Sequence, residues 1–127
     1  MTTRSDTRRQ QAVPMRMRDL MGKVVYLAGP YTHPNNNHNT RRAVEYADYL
    51  VESGIVPLVP HMSHLWDSIS PKNYPPDFWY NYDLRLLELC AAVVVMPGSE
   101  DSTGVKLERA FAKSKGIPVI EWDEQEW

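Results

Sequence analysis

The sequence predicts a single α/β domain, a three-layer sandwich built on a parallel sheet. Three observations carry that expectation. Short apolar runs alternate along the chain with segments of helical periodicity, the pattern of βαβ units. The first of those runs ends at Gly29-Pro30 and a later one at Pro97-Gly98, so each strand breaks at a turn before its helix. The length of 127 residues is near the commonest size for one domain, and a 43% hydrophobic content is enough for one core. The expected arrangement is flavodoxin-like (Rossmann-like). Sheets of that kind bind ligands outside the carboxyl ends of their strands, near the point where strand order reverses.

Val24-Val25-Tyr26-Leu27-Ala28 reads as a central strand. The polar loop "YTHPNNNHN" follows, and Asn39 or Thr40 can cap the next helix. In that helix Ala43, Val44, Ala47, Leu50 and Val51 share a face, and Gly54 ends it. Ile55 to Val59 is a second strand, whose Pro57 points to an edge or a bulge. "HMSHLWDSISPKNYPP" is expected to be a loop, long enough to have work beyond linking elements. Asp77 to Leu89 reads as a helix with Phe78, Tyr82, Leu86 and Leu89 on one side. Ala92 to Met96 is a third strand. Thr103 to Lys115 is a third helix, with Lys113 and Lys115 near its negative end and Gly116 as terminator. "IPVIEW" is the last strand, and there are no internal repeats.

Residues 1–22 differ in character. Arg4, Arg8, Arg9, Arg16 and Arg18 crowd a segment with few large apolar residues, which reads as a flexible basic tail ahead of a domain at 23–127. A docking arm for an anionic partner is the alternative. A net charge of −2 gives no general argument for a nucleic acid polymer as partner. The single cysteine, Cys90, excludes an internal disulfide framework and fits a reducing compartment. No run approaches the roughly 18 apolar residues of a membrane span, and no signal-peptide stretch opens the chain. The expectation is a cytoplasmic protein with no membrane partner.

The predicted crevice gathers Gly29-Pro30-Tyr31, Pro60-His61 and Met96-Pro97-Gly98, with the entrance of the third helix facing it. Ser102-Thr103-Gly104 at that entrance offers unpaired N–H groups and a positive dipole end, and Gly104 permits close approach of a ligand. An ordinary N-cap explains the same residues. Glu108 lies about a turn and a half further in, beside Leu107, Phe111 and Ala112. A carboxylate near an apolar face is costly unless paired or used. A surface pair with Lys106, Arg109 or Lys115 is the plain alternative. Asp83 sits mid-helix in "YNYDLRLL", where aspartate is a poor helix former. His61, His64 and Asp67 recur every three residues and could share a helical face as metal ligands, but no second cluster completes a site, and none is assigned. Trp66, Trp79 and Tyr80 can stack on a base or fill the core.

Together these residues resemble a known family. "YLAGPYTHP", "PHMSH", "DFWYNYDL" and "DSTGVKLE", in that order, are similar to the nucleoside 2-deoxyribosyltransferase-like superfamily, in its uncharacterised part. The similarity runs from Val24 to about Trp122. That group contains transferases that move deoxyribose between bases and hydrolases that cleave nucleoside 5′-monophosphates. The resemblance implies that Glu108 is the nucleophile at the anomeric carbon. It implies that Asp83 positions base or sugar and that Tyr31 lines the sugar pocket, the three forming the catalytic set. It also implies substrate contacts from Ser102 and Gly104; their place at the crevice adds Gly29, Pro30 and His61 as substrate-binding candidates, and Trp79 is a candidate for stacking on the base. The resemblance implies a small-molecule nucleoside or nucleotide as partner, no cofactor, and a homodimer or larger homo-oligomer.

The chemistry suits these residue types. Breaking an N-glycosidic bond builds positive charge on the sugar, which a carboxylate can stabilise and trap. The leaving base needs a proton or hydrogen bond. The chain departs from the phosphate hydrolases in one respect: where they carry Gly-Ser-x-Arg-Gly-Gly, this sequence has "GPYTHP", with no arginine. Hydrolysis and transfer both remain open. A non-catalytic nucleotide-binding module of the same fold is the alternative from another class.

Overall fold

The computed structural model describes residues 15–31, 36–75 and 77–123. Within them lie four strands, β1 (Val24–Ala28), β2 (Val56–Leu58), β3 (Ala92–Val95) and β4 (Val119–Glu121). Four helices connect them: α1 (Asn36–Glu52), α2 (His61–Ile69), α3 (Phe78–Glu88) and α4 (Thr103–Ser114). The strands form one parallel sheet in the order β2-β1-β3-β4. This is the three-layer, flavodoxin-like α/β fold expected. β1 is central and the proline-bearing β2 is an edge. The order reverses between β1 and β3, whose carboxyl ends lead into Gly29-Pro30 and Met96-Pro97.

Strand alternation assigns side chains to the two faces. Val25 and Leu27 of β1, with Ala92, Val94 and Met96, pack with Ala43 and Leu50 of α1. Tyr26 and Ala28, with Val93 and Val95, pack with Leu87 of α3 and with Val105 and Ala112 of α4. Gly29 belongs to this packing, because a Cβ there would run into the sulfur of Met96.

Three features differ from the sequence expectation. First, 61–69 is not loop but helix α2. It begins directly after Pro60, with no side-chain cap, and leaves Met62, Leu65, Trp66 and Ile69 exposed. Its pattern therefore lacks both a capping signal and an inward apolar stripe. Second, α3 is rotated relative to the expected face. Trp79, Asp83 and Leu87 are buried, while Leu89 is 81% exposed. Aromatic residues surround the first turns of α3, so its apolar pattern does not single out one face. Third, the segment expected to be a flexible tail contributes to the core from Met17 onward, with Met15 and Arg16 exposed. Met17–Leu20 forms a single 3₁₀ turn, and Met17 and Leu20 are fully buried in the α1-side core. Residues 1–14, with Arg4, Arg8 and Arg9, lie outside the described residues. Among the described residues no helix is long and apolar enough to cross a membrane.

Docking of this turn is testable. Leu20→Ala should lower unfolding stability by roughly 2–5 kcal/mol in urea denaturation, as for other buried leucines. A loss below about 0.5 kcal/mol, the scale of a neutral surface change, would show that the turn is not part of the core.

Candidate active site

The site lies on the α3/α4 face of the sheet, below the carboxyl ends of β1 and β3. Glu108 shares the inner face of α4 with the buried Val105 and Ala112, at helical spacing. It does not take the surface partners that its sequence neighbours offered. Arg109 pairs with Glu121 and Lys115 with Glu88. Glu108 instead accepts a hydrogen bond of 2.6 Å from the phenol of Tyr26, in the middle of β1. That length belongs to the short, charge-assisted class of O–H···O bonds.

Burial governs the electrostatics here. It pushes the Glu108 carboxyl up to about 7, the Tyr26 bond opposes that rise, and the nearby Asp83 charge adds to it. Tyr26 is fully buried, and burial with the charges of Glu108 and Asp83 drives its phenol far above the ordinary range. The phenol therefore stays protonated and remains a donor to Glu108.

Asp83 is only 7% exposed, and burial pushes it up to about 6 against the Ser63 hydrogen bond. The Ser63 hydroxyl lies 2.7 Å from the Pro60 carbonyl and 3.1 Å from Asp83 Oδ2. Its one proton can serve only one of these acceptors at a time. When it serves Pro60, a protonated Asp83 can donate back to the Ser63 oxygen. Asp83 Oδ1 is buried with no hydrogen-bond partner.

The rim is aromatic and imidazole. His61, 3% exposed, donates from Nε2 to the Pro30 carbonyl at 2.9 Å, which fixes the tautomer and leaves a lone pair on Nδ1. That Nδ1 is buried without a partner. Burial lowers both His61 and His64 below the ordinary histidine range, so both rings favour the neutral form. Tyr31 stacks on His64 at 3.7 Å and meets His61 edge-on, while its carbonyl accepts from Asn39 at 2.9 Å.

The structure thus brings Glu108 and Asp83 together and sets Pro30, Tyr31 and His61 at the rim. Other expected residues have local duties. Ser102 caps α4 by accepting from the Val105 N–H at 3.2 Å. Gly104 is exposed, and a Cβ there would make only ordinary contact with Ser102. Trp79 sits in an aromatic cluster with Trp66, Tyr74, Phe78 and Tyr82. His61, His64 and Asp67 do not converge, and no group of three potential metal ligands occurs among the described residues. Sequence reasoning missed Tyr26 and Ser63. Tyr26 left a signal, since a tyrosine inside a central strand must find a partner for its hydroxyl.

A strand-order switch point on a parallel sheet, with the buried Asp83 and the part-buried Glu108 carboxyl groups beneath it, defines the class: an α/β domain with a candidate acid–base or nucleophilic site. The chain belongs to the DUF7768 family, a domain of unknown function, which matches residues 23–122. No match was found among curated proteins.

The raised carboxyls predict a pH dependence of stability. A buried acid whose folded-state value is raised binds more protons folded than unfolded. Its charge penalty is absent at pH 4 and grows as pH rises through the window between its ordinary value and its raised one. For Glu108 that window runs from 4.5 to about 7. The urea midpoint should therefore fall more steeply with pH across this window in the wild type than in Glu108→Gln. Equal slopes would show that Glu108 is not held in a desolvated position.

Proposed function

We propose that the protein cleaves the N-glycosidic bond of a nucleoside or nucleoside 5′-monophosphate, with Glu108 as nucleophile, followed by hydrolysis or transfer of the sugar to another base. The observation that carries this reading is the part-buried Glu108 carboxyl, held by the Tyr26 phenol, with the buried carboxyl of Asp83 nearby. Two desolvated acids on one face of a sheet cost stability, and such costs cluster at functional sites. The resemblance to the nucleoside 2-deoxyribosyltransferase-like superfamily points to the same two positions.

In the first step a Glu108 oxygen bonds to the anomeric carbon as the C1′–N bond breaks, and the bonding pair leaves with the base. The base takes up a proton, which Asp83 can supply because burial keeps it protonated to higher pH than an ordinary aspartate. In the second step water or the N–H of an acceptor base attacks the anomeric carbon and gives its proton to Asp83, ionised in the first step, while Glu108 departs as a carboxylate. The Tyr26 hydrogen bond steadies Glu108 in its ionised form, before attack and after release. Neutral His61 and the His64-backed Tyr31 ring offer a wall for the sugar or base.

Two outcomes test this. Against a panel of nucleosides and 5′-monophosphates, with and without acceptor base, chromatography should show free base or a new nucleoside. Glu108→Ala should lower that rate at least ~100-fold. Near-normal turnover in the variant removes the assignment, and binding without turnover in the wild type would favour a non-catalytic module. Glu108 must be ionised while Asp83 still holds its proton, so activity should follow a bell between about 6 and about 7, with the high-pH limb set by Glu108. Tyr26→Phe removes the bond that favours the carboxylate, so that limb should move to higher pH. An unmoved limb would separate Tyr26 from Glu108 ionisation.

A further inference from the structure

We infer that Ser63 is a positioning residue whose hydroxyl turns with the charge of Asp83, steadying the carboxylate that exists between the two chemical steps. The inference rests on the reading of the site given above and assigns a residue that this reading leaves without a role.

The geometry gives the hydroxyl two settings. Its oxygen lies 2.7 Å from the Pro60 carbonyl and 3.1 Å from Asp83 Oδ2, both within hydrogen-bonding reach. Rotation of one O–H bond exchanges the two acceptors with no heavy atom displaced. Turning away from Pro60 leaves no orphan, because that carbonyl also accepts from the Ser63 N–H at 3.0 Å. Ser63 and Asp83 are each 7% exposed, so bulk water does not take the place of the hydroxyl.

The charge on Asp83 selects the setting. A carboxylate is a stronger acceptor than an amide carbonyl, and a neutral carboxyl is a weaker one. In the first step Asp83 gives its proton to the leaving base, and the hydroxyl turns to the new carboxylate. In the second step the proton of water or of the acceptor N–H returns to Asp83, and the hydroxyl turns back to Pro60. Oδ1 has no partner in either setting and is the oxygen left to exchange the proton. Trp79 Nε1, a buried donor one turn earlier on the same face of α3, is itself without a partner and does not hold Oδ1.

The other groups around Asp83 cannot steady its charge. From β1, Tyr26 gives its hydroxyl proton to Glu108. From α4, Glu108 and Asp83 disfavour each other's ionisation. Burial holds Cys90, which follows α3, as a thiol. On α2, His61 gives its Nε2 proton to the Pro30 carbonyl, and burial favours neutral His61 and His64. Ser63 thus does for Asp83 what Tyr26 does for Glu108, with the difference that its donor can be withdrawn.

The test has two arms on the full chain. In the first, carbon NMR follows the Asp83 carboxyl in the free protein, with Asp83→Asn as the assignment control. In Ser63→Ala the midpoint should move above its wild-type place near 6, by roughly tenfold in ionisation constant, the scale of a hydrogen bond to a charged group. Ser63→Thr keeps the hydroxyl and should titrate as the wild type does. In the second arm, a substrate that the wild type cleaves is mixed rapidly with each protein, and loss of sugar from Glu108 is timed across pH. That step needs ionised Asp83, so its rate should rise with pH, and Ser63→Ala should move the rise to higher pH by the same interval as the NMR midpoint. An Asp83 midpoint unmoved by Ser63→Ala, a Ser63→Thr that titrates like Ser63→Ala, or a sugar-loss profile that stays in place would overturn the inference. A wild type that releases no base, with the midpoint moved in Ser63→Ala and restored in Ser63→Thr, would remove the glycosidic chemistry and leave the hold of Ser63 on Asp83 standing.

Discussion

The hydrogen bond from Tyr26 to Glu108 joins the middle of the central strand to the inner face of α4, and the site is arranged around it. Two polar groups that could not be buried singly are buried as a pair. The phenol cannot ionise in that setting, so it always presents a donor. The carboxyl is desolvated enough to hold its proton into the neutral range, yet the bond makes ionisation attainable. A carboxylate that ionises near neutrality beneath a crevice is suited to attack an electron-poor carbon. A fully solvated one would be weakened by its hydration shell, and an unassisted buried one would stay protonated.

The fold supplies that geometry from simple rules. Strand alternation sends Val25 and Leu27 to the α1 side and Tyr26 to the α3/α4 side. Helical spacing turns Glu108 inward with Val105 and Ala112. The crossover from β2 to β3 carries both α2 and α3, and these bring Ser63 and Asp83 within hydrogen-bonding distance. α2 also opens with His61, which anchors Pro30 and hence the turn after β1. The rim and the buried acids are thus linked through one helix.

Much of this was legible in the sequence. The strands were plain because buried parallel strands read as apolar runs, and α1, α3 and α4 followed from caps, glycine stops and spacing. The acids at 83 and 108 stood out because each occupies a place that an ordinary helix would not give it. What escaped detection has physical causes. α2 has a proline at its cap position and a largely solvent-facing apolar stripe, so "HMSHLWDSI" resembles a loop. The inner face of α3 was misjudged by one position because aromatic side chains cluster around its first turns. The tyrosine bonded to Glu108 is Tyr26. In an apolar strand Tyr26 looked like packing, and only the fold reveals which carboxyl its hydroxyl meets.

The most direct test of the central claim looks for the sugar on the protein. Wild-type chain is mixed with a nucleoside, quenched in acid within the turnover time, digested and analysed by peptide mass. The account predicts a mass gain of one sugar on the peptide containing Glu108, absent from Glu108→Ala treated in the same way. Base release under those conditions with no adduct, or with the sugar on a different residue, would contradict it.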